Sequence, residues 1–113
     1  MAVAPGKYDI SLQRRAAYSV LLQFQDSLSS PIDLTGYTVY AQVWNEVRSK
    51  KYADFAVTYT NRTNGEIKIS LTDEQTITFP DELRYDVLLE DSGGIREYYL
   101  EGTVSVSQGY TVP

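Results

Sequence analysis

The sequence predicts an all-β sandwich of about seven strands in a single domain. Runs rich in Tyr, Val, Ile, Leu and Thr alternate with short clusters of turn-forming residues, and strands at such regular spacing are typical of sandwiches and barrels. No helical period of apolar residues persists along the chain. The 113 residues match the usual size of one domain. We therefore predict one domain over residues 1–113, with flexible ends at 1–6 and 108–113.

The first half of the chain contains three predicted strands, at 8–13, 16–25 and 37–47. Within 16–25 the inward side chains fall at every second position: Tyr18, Val20, Leu22 and Phe24. The same period recurs in 37–47: Tyr37, Val39, Ala41 and Val43. A period of two is typical of a strand that buries one face.

The second half of the chain contains four predicted strands, at 55–60, 66–71, 84–90 and 95–106. Asn64-Gly65 joins the first two of these as a hairpin, because both residues tolerate the positive φ of a tight turn. Thr72 and Gln75 have the spacing of a capping box, so we expect one short helical turn before Pro80. The predicted inward residues are Ile67, Ile69, Leu71, Tyr85, Val87, Leu89, Tyr98, Leu100, Val104 and Val106.

Tyr85 opens the strand 84–90 directly after the chain crosses from one sheet to the other. Immunoglobulin-like sandwiches place a tyrosine there, and its hydroxyl binds the backbone of that crossover. We therefore predict that Tyr85 is a structural corner and that the fold is an immunoglobulin-like antiparallel sandwich. The alternative is an ordinary core tyrosine.

The composition argues against the common catalytic and metal-binding sites and against nucleic-acid or membrane binding. The chain has no cysteine and no histidine, which removes thiol catalysis, disulfides and the commonest general base and metal ligand. Its net charge of −5 disfavours nucleic acid and anionic membranes. The start lacks the apolar core of a signal peptide, and no apolar run reaches membrane-spanning length. We predict no enzyme, no catalytic residue, no cofactor and no metal site.

Outward aromatic side chains suggest an interaction surface. Alternation places Tyr40 and Trp44 on the outward side of the strand 37–47, and it places Leu88 and Tyr99 outward on the last two strands. These three strands are neighbours in an immunoglobulin-like sheet, so the four side chains are predicted to form a partner interface. The alternatives are scattered surface residues or a surface covered by a terminal segment.

Several short segments over residues 7–107 together match the pattern of a known family. The segments are Tyr8-Asp9-Ile10, Leu12-Gln13-Arg14, Pro31-Ile32-Asp33-Leu34-Thr35-Gly36-Tyr37, Ile69-Ser70-Leu71-Thr72, Gln75-Thr76, Tyr85-Asp86-Val87 and Leu100-Glu101-Gly102-Thr103-Val104-Ser105-Val106-Ser107. In this order they resemble small immunoglobulin-like β-sandwich virion proteins of tailed bacteriophages, of the tail and baseplate attachment-domain type. One departure is Arg15, where the family pattern has a glycine at the bend after the first strand.

The resemblance implies a structural or assembly component of a phage particle, in the tail, baseplate or neck or associated with the capsid. It implies that the partners are other virion proteins, or further copies of this chain, and that the protein is made in the host cytoplasm and is not secreted. It carries over no catalytic residue. The alternative function is a carbohydrate- or receptor-binding module that stacks sugars on Tyr40, Trp44 and Tyr99.

The predicted independence from metal and redox state can be tested by thermal unfolding. The melting temperature is expected to stay unchanged when EDTA or a reductant is added, since the sequence offers neither thiols nor imidazoles. A loss of several degrees with EDTA alone would reveal an oxygen-ligand site that the sequence pattern does not indicate.

Overall fold

Two β-sheets pack face to face in the computed structural model of the chain, which describes residues 6–26 and 28–111. The strands of these residues are β1 (Gly6–Lys7), β2 (Ile10–Gln13), β3 (Tyr18–Gln23), β4 (Thr38–Trp44), β5 (Lys51–Asp54), β6 (Ala56–Asn61), β7 (Glu66–Leu71), β8 (Glu82–Glu90) and β9 (Arg96–Ser107). The prediction of an all-β sandwich is confirmed.

The larger sheet has the strand order β1-β9-β8-β4-β5, with β2 also paired to β9, and the smaller sheet has the order β3-β7-β6. The predicted neighbourhood of β4, β8 and β9 is therefore correct. The arrangement is not wholly antiparallel, because β1 and β2 both run parallel to β9. The first predicted strand is thus two short strands that share one partner.

The predicted hairpin and capping box both form, although Gly65 adopts a positive φ and Asn64 does not. A single 3₁₀ turn at Arg62–Asn64 links β6 to β7, and Gly65 ends it at a φ of 71°. After β7, the short helix α1 (Asp73–Thr76) begins with a complete capping box between Thr72 and Gln75. No helix in the described ranges is long and apolar enough to cross a membrane.

The core lies between the two sheets and contains most of the predicted inward residues. Their side chains are removed from water on alternate positions of β4, β7 and β8, and full burial of each stabilises the fold by ~1.5–3 kcal/mol. Tyr98 is the exception, since it is 55% exposed. The least exposed large core residues include Phe24, Ile67, Ile69, Phe79, Leu83, Val43, Val87 and Val104.

The strand β5 does not follow from the sequence pattern. The predicted strand 37–47 ends at Trp44, and the chain turns back through Asn45, whose side-chain oxygen accepts hydrogen bonds from the Ser49 and Lys50 amides at 2.8 and 3.2 Å. β5 then pairs with β4 at the edge of the sheet and buries Ala53. Charged residues at both ends of this edge strand hide its short alternation.

Tyr85 is buried as predicted, but the predicted corner bond is wrong. Its hydroxyl donates to the backbone carbonyl of Tyr8, in the break between β1 and β2, and not to the crossover after β7. Gly102 lies opposite Tyr85, and a Cβ atom there would come within 2.1 Å of the Tyr8 oxygen. The close approach of the Tyr8 backbone to β9 therefore requires glycine at position 102. The hydrogen bond from Tyr85 holds the segment between β1 and β2 against the sheet.

The bend after β2 forms with Arg15 at the position where the sequence resemblance predicts a glycine. Arg15 has a φ of 66°, a region that side chains with a Cβ rarely enter. Its guanidinium donates to the backbone carbonyls of Gln108 and Gly109, which holds the end of the described chain beside the bend.

The predicted flexible ends lie partly outside the described residues. Among the residues of these ends that the structure describes, Gly6 belongs to β1, and the side chain of Gln108 accepts a hydrogen bond from Arg14 at 2.6 Å.

The role of Tyr85 can be tested by removing its hydroxyl. Burial raises the pKa of Tyr85 far above the usual tyrosine range, so the hydroxyl keeps its proton and donates it. Tyr85→Phe should lower the free energy of unfolding by about 1 kcal/mol, since the Tyr8 carbonyl loses a partner. Urea denaturation measures this, with Tyr40→Phe as the control because Tyr40 is 45% exposed. Equal losses in the two variants would contradict the assignment.

Candidate functional site

The outer face of the larger sheet carries side chains in rows that run across β4, β8 and β9. The first row is apolar, the second carries two carboxylates, and the third begins with Trp44. In this order the rows are Tyr40, Leu88 and Tyr98; Gln42, Asp86 and Glu101; and Trp44, Arg84 and Thr103. Successive rows are roughly 7 Å apart, because they are two residues apart along β4 and β8.

An open groove of about 620 Å³ lies over these rows. The loop after β4 forms one wall with Asn45, Glu46 and Arg48, and Arg96 of β9 also lines it. We call this surface the outward groove. Its floor is a hydrogen-bonded sheet, so the backbone holds the side chains at set spacings.

Three of the four predicted interface residues meet in the outward groove. Tyr40 is exposed, and Trp44 and Leu88 are half-buried along the same face. Tyr40 and Leu88 are direct cross-strand partners, and Trp44 lies two rows from them. Alternation along β4 and β8 was therefore sufficient to place these three residues.

Tyr99 does not belong to the groove, and the prediction is wrong for this residue. Its ring packs edge-on against Phe24 with centroids 4.5 Å apart. Its hydroxyl accepts from the Gln25 amide at 2.8 Å and donates to the Gln25 carbonyl at 2.9 Å. Tyr99 thus ties β9 to the segment that follows β3, at the edge of the core.

A β-bulge in β9 is the physical reason why Tyr98 faces the groove and Tyr99 does not. Val87 pairs with Leu100, but Leu88 pairs with Tyr98, so β9 carries one extra residue at that point. Beyond the bulge the faces of β9 are reversed, and Tyr98 takes the outward place predicted for Tyr99. The run Tyr98-Tyr99-Leu100 contains no polar residue, so its sequence gives no alternation of apolar and polar side chains from which the faces could be assigned.

Trp44 is held from two sides. Its indole Nε1 donates to the side-chain oxygen of Gln42 at 2.9 Å. The guanidinium of Arg48 lies over the indole, 4.4 Å from the ring centroid, which is the geometry of a cation–π contact. One ring face is therefore already covered by a cation.

The remaining arginines of the groove are engaged by carboxylates at its margins. Arg84 contacts Glu46 at 3.3 Å and Glu82 at 3.6 Å. Arg96 forms an ion pair with Glu90. These pairs are largely exposed to solvent, so each contributes little to stability, but together they neutralise the margins of the groove.

Asp86 and Glu101 differ from the other charged residues of the groove. They face each other across β8 and β9, and within residues 6–26 and 28–111 no hydrogen bond or ion pair links either carboxylate to another side chain. Burial raises the pKa of Asp86, the charge of Glu101 raises it further, and Arg48 opposes both effects. The centre of the groove therefore holds unpaired negative charge.

The groove offers aromatic rings and guanidinium groups, which are enriched at protein interfaces, together with carboxylates. Among the described residues no three carboxylates, cysteines or histidines cluster as a metal site would require. The three-ring platform proposed for sugars does not form, because Tyr99 lies at the core and Arg48 covers one face of Trp44.

Comparison with known proteins supports the fold. No protein-family model matches the chain, and no curated protein does. The chain is similar to a chain in the crystal structure of ICOS in complex with ICOS-L and an anti ICOS-L VNAR domain, at 15% identity and a TM-score of 0.57, over 97% of this chain and 59% of that one. It is also similar to the Lin-41 filamin domain, at 15% identity and a TM-score of 0.49, over 88% of this chain and 84% of that one. At this level of identity, the first likeness shows an immunoglobulin-like fold and nothing about function.

The raised pKa of Asp86 predicts how stability depends on pH. The folded pKa lies above the ordinary value of 3.8, so the folded state binds protons more tightly, and stability falls as pH rises from 3.8 through the folded pKa. Asp86→Asn, which resembles the protonated form, should therefore be more stable than wild type near neutral pH.

Urea denaturation at neutral pH and below the ordinary aspartate pKa measures this difference. The advantage of Asp86→Asn should disappear at the lower pH, where the wild-type carboxyl is itself protonated. Asp73→Asn is the matched control, since Asp73 is exposed in the first turn of α1. A destabilised Asp86→Asn at neutral pH would show that the carboxylate has a stabilising partner.

Proposed function

We propose that the chain is a non-enzymatic protein-interaction domain that binds its partner through the outward groove. The observation that supports this most directly is the grouping of Tyr40, Leu88 and Tyr98 in one row, with Trp44 on the same face. Large aromatic side chains that remain accessible on a rigid sheet are the residues that dominate interface energies.

The surroundings of these residues fit an interface. The ion pairs of Arg84 and Arg96 lie at the margins, where polar rims normally enclose an apolar centre. The sheet beneath is preformed, so docking requires little reordering of the backbone, which lowers the entropic penalty of binding.

Within that class we propose a structural or assembly role in a tailed-phage particle. The proposal rests on the sequence motifs alone, chiefly the segment 31–37 and the segment 100–104. On this reading the partners are other virion proteins or further copies of the chain, the site of action is the virion, and the protein is made in the host cytoplasm and not secreted.

The groove can be tested by placing a charge on it. Trp44→Glu and Tyr98→Glu should leave folded domains that no longer incorporate into particles, since a buried unpaired carboxylate at an interface centre costs roughly 2 kcal/mol or more. Leu21→Glu is the matched control, because Leu21 is 68% exposed on the outer face of the smaller sheet. Mass spectrometry of purified particles measures incorporation, and circular dichroism verifies folding.

Two outcomes would contradict the proposal. Normal incorporation of both groove variants would place the contact surface elsewhere. A loss in Leu21→Glu equal to the loss in Trp44→Glu would show that any added charge on the sandwich is harmful. Unfolding of Trp44→Glu leaves Tyr98→Glu as the decisive variant, since Tyr98 is the more exposed of the two.

A further inference from the structure

We propose that the outward groove accepts a cationic side chain of its partner, arginine or lysine, over the carboxylates of Asp86 and Glu101. The inference rests on the proposed function, because it specifies the chemistry of the partner that the same groove binds. It commits to a basic segment of another protein as the occupant.

Charge complementarity is the first reason. Every arginine that lines the groove already has a counterpart: Arg84 and Arg96 contact glutamates, and Arg48 lies over Trp44. Asp86 and Glu101 have no such counterpart within the described residues. The groove therefore has unused acceptors at its centre, and Arg48, the arginine of its lining whose charge acts on Asp86, is placed over the Trp44 ring and not against the carboxylates.

The position of the pair is the second reason. Two like charges directly opposite each other on neighbouring strands destabilise a sheet, and the charge of Arg48 opposes this repulsion at Asp86 without forming an ion pair with either carboxylate among the described residues. A guanidinium or ammonium group placed between the two carboxylates would convert that repulsion into two charge-assisted hydrogen bonds. The arrangement is thus unfavourable in the free protein and favourable in a complex with a cation.

The aromatic row beside the carboxylates is the third reason. The carboxylates lie one row from Tyr40 and Tyr98, so a cation above them is within reach of the aromatic rings of that row. The faces of such rings attract guanidinium and ammonium groups. The contact between Arg48 and Trp44 shows that this groove already binds one guanidinium in that manner.

The net charge of the chain favours a different protein over a second copy. Each copy carries a formal charge of −5, so two copies repel each other, whereas a basic segment is attracted to the same surface. A stretch of the partner that carries arginine or lysine beside apolar residues would match both the carboxylate row and the apolar row.

Titration of the ¹⁵N-labelled protein with a hexa-arginine peptide tests the inference. The peptide should shift the Trp44 indole signal and the amide signals around Asp86 and Glu101 in a saturable manner. The double variant Asp86→Asn/Glu101→Gln should bind about tenfold or more weakly, since it loses both charge-assisted hydrogen bonds. Hexaglutamate should cause no shift at these residues.

The matched control is Asp73→Asn/Glu74→Gln, which makes the same change in net charge on the exposed first turn of α1. It should bind hexa-arginine within roughly twofold of wild type, because only the long-range field changes. Equal weakening in the two double variants, or shifts that map away from the groove, would overturn the inference.

A separate outcome distinguishes this inference from the proposed function. If Tyr98→Glu fails to incorporate into particles while Asp86→Asn/Glu101→Gln incorporates normally, the groove is the interface but its carboxylates do not select the partner. If neither variant affects incorporation but hexa-arginine still binds the groove, the cation site stands and the proposed function fails.

Discussion

The last strand, β9, is the element on which the other parts of the larger sheet depend. It pairs with β8 along one edge and with both β1 and β2 along the other. The second pairing is possible because residue 102 is glycine, since any Cβ there would collide with the Tyr8 carbonyl. The hydroxyl of Tyr85 then binds that carbonyl, and Asp9 accepts a hydrogen bond from the Thr103 amide at 3.0 Å. Because residue 102 has no side chain, β1 and β2 can cover the edge of the sheet that β9 would otherwise expose.

The bulge in β9 has a comparable effect on the outer face. By adding one residue opposite the step from Val87 to Leu88, it turns Tyr98 toward solvent and Tyr99 toward Phe24. The same irregularity thus supplies the groove with its third apolar residue and the core with an aromatic contact and two hydrogen bonds to Gln25. Bulges change the direction of side chains and commonly occur beside functional surfaces, and here the change serves both layers of the molecule.

The sequence was sufficient to predict the features that depend on neighbouring residues. The strand Glu66–Leu71 has its predicted bounds, the capping box at Thr72 forms, and Tyr40, Trp44 and Leu88 share a face. Features that depend on contacts between distant segments could not be predicted from the sequence pattern. The partner of the Tyr85 hydroxyl lies 77 positions away, and the place of the extra residue in β9 is set by its pairing with β8. The edge strand β5 was missed because its charged ends obscure the pattern that its pairing with β4 stabilises.

The charged side chains of the groove differ in their effect on stability between its margins and its centre. At the margins, Arg84 and Arg96 are each offset by a nearby glutamate, an arrangement that is nearly neutral for stability when exposed to water. At the centre, two carboxylates face each other with no partner among the described residues, and burial opposes the ionisation of Asp86. A sheet built for stability alone would place Thr or Val at these positions, since both pack well on a pleated surface. The apolar row next to them supplies contact area but does not fix the orientation of a partner. Two adjacent negative charges, in contrast, specify where a cation must lie. Contact area and charge are therefore supplied by different rows of the same sheet, and the registers of β4, β8 and β9 hold the two rows one step apart.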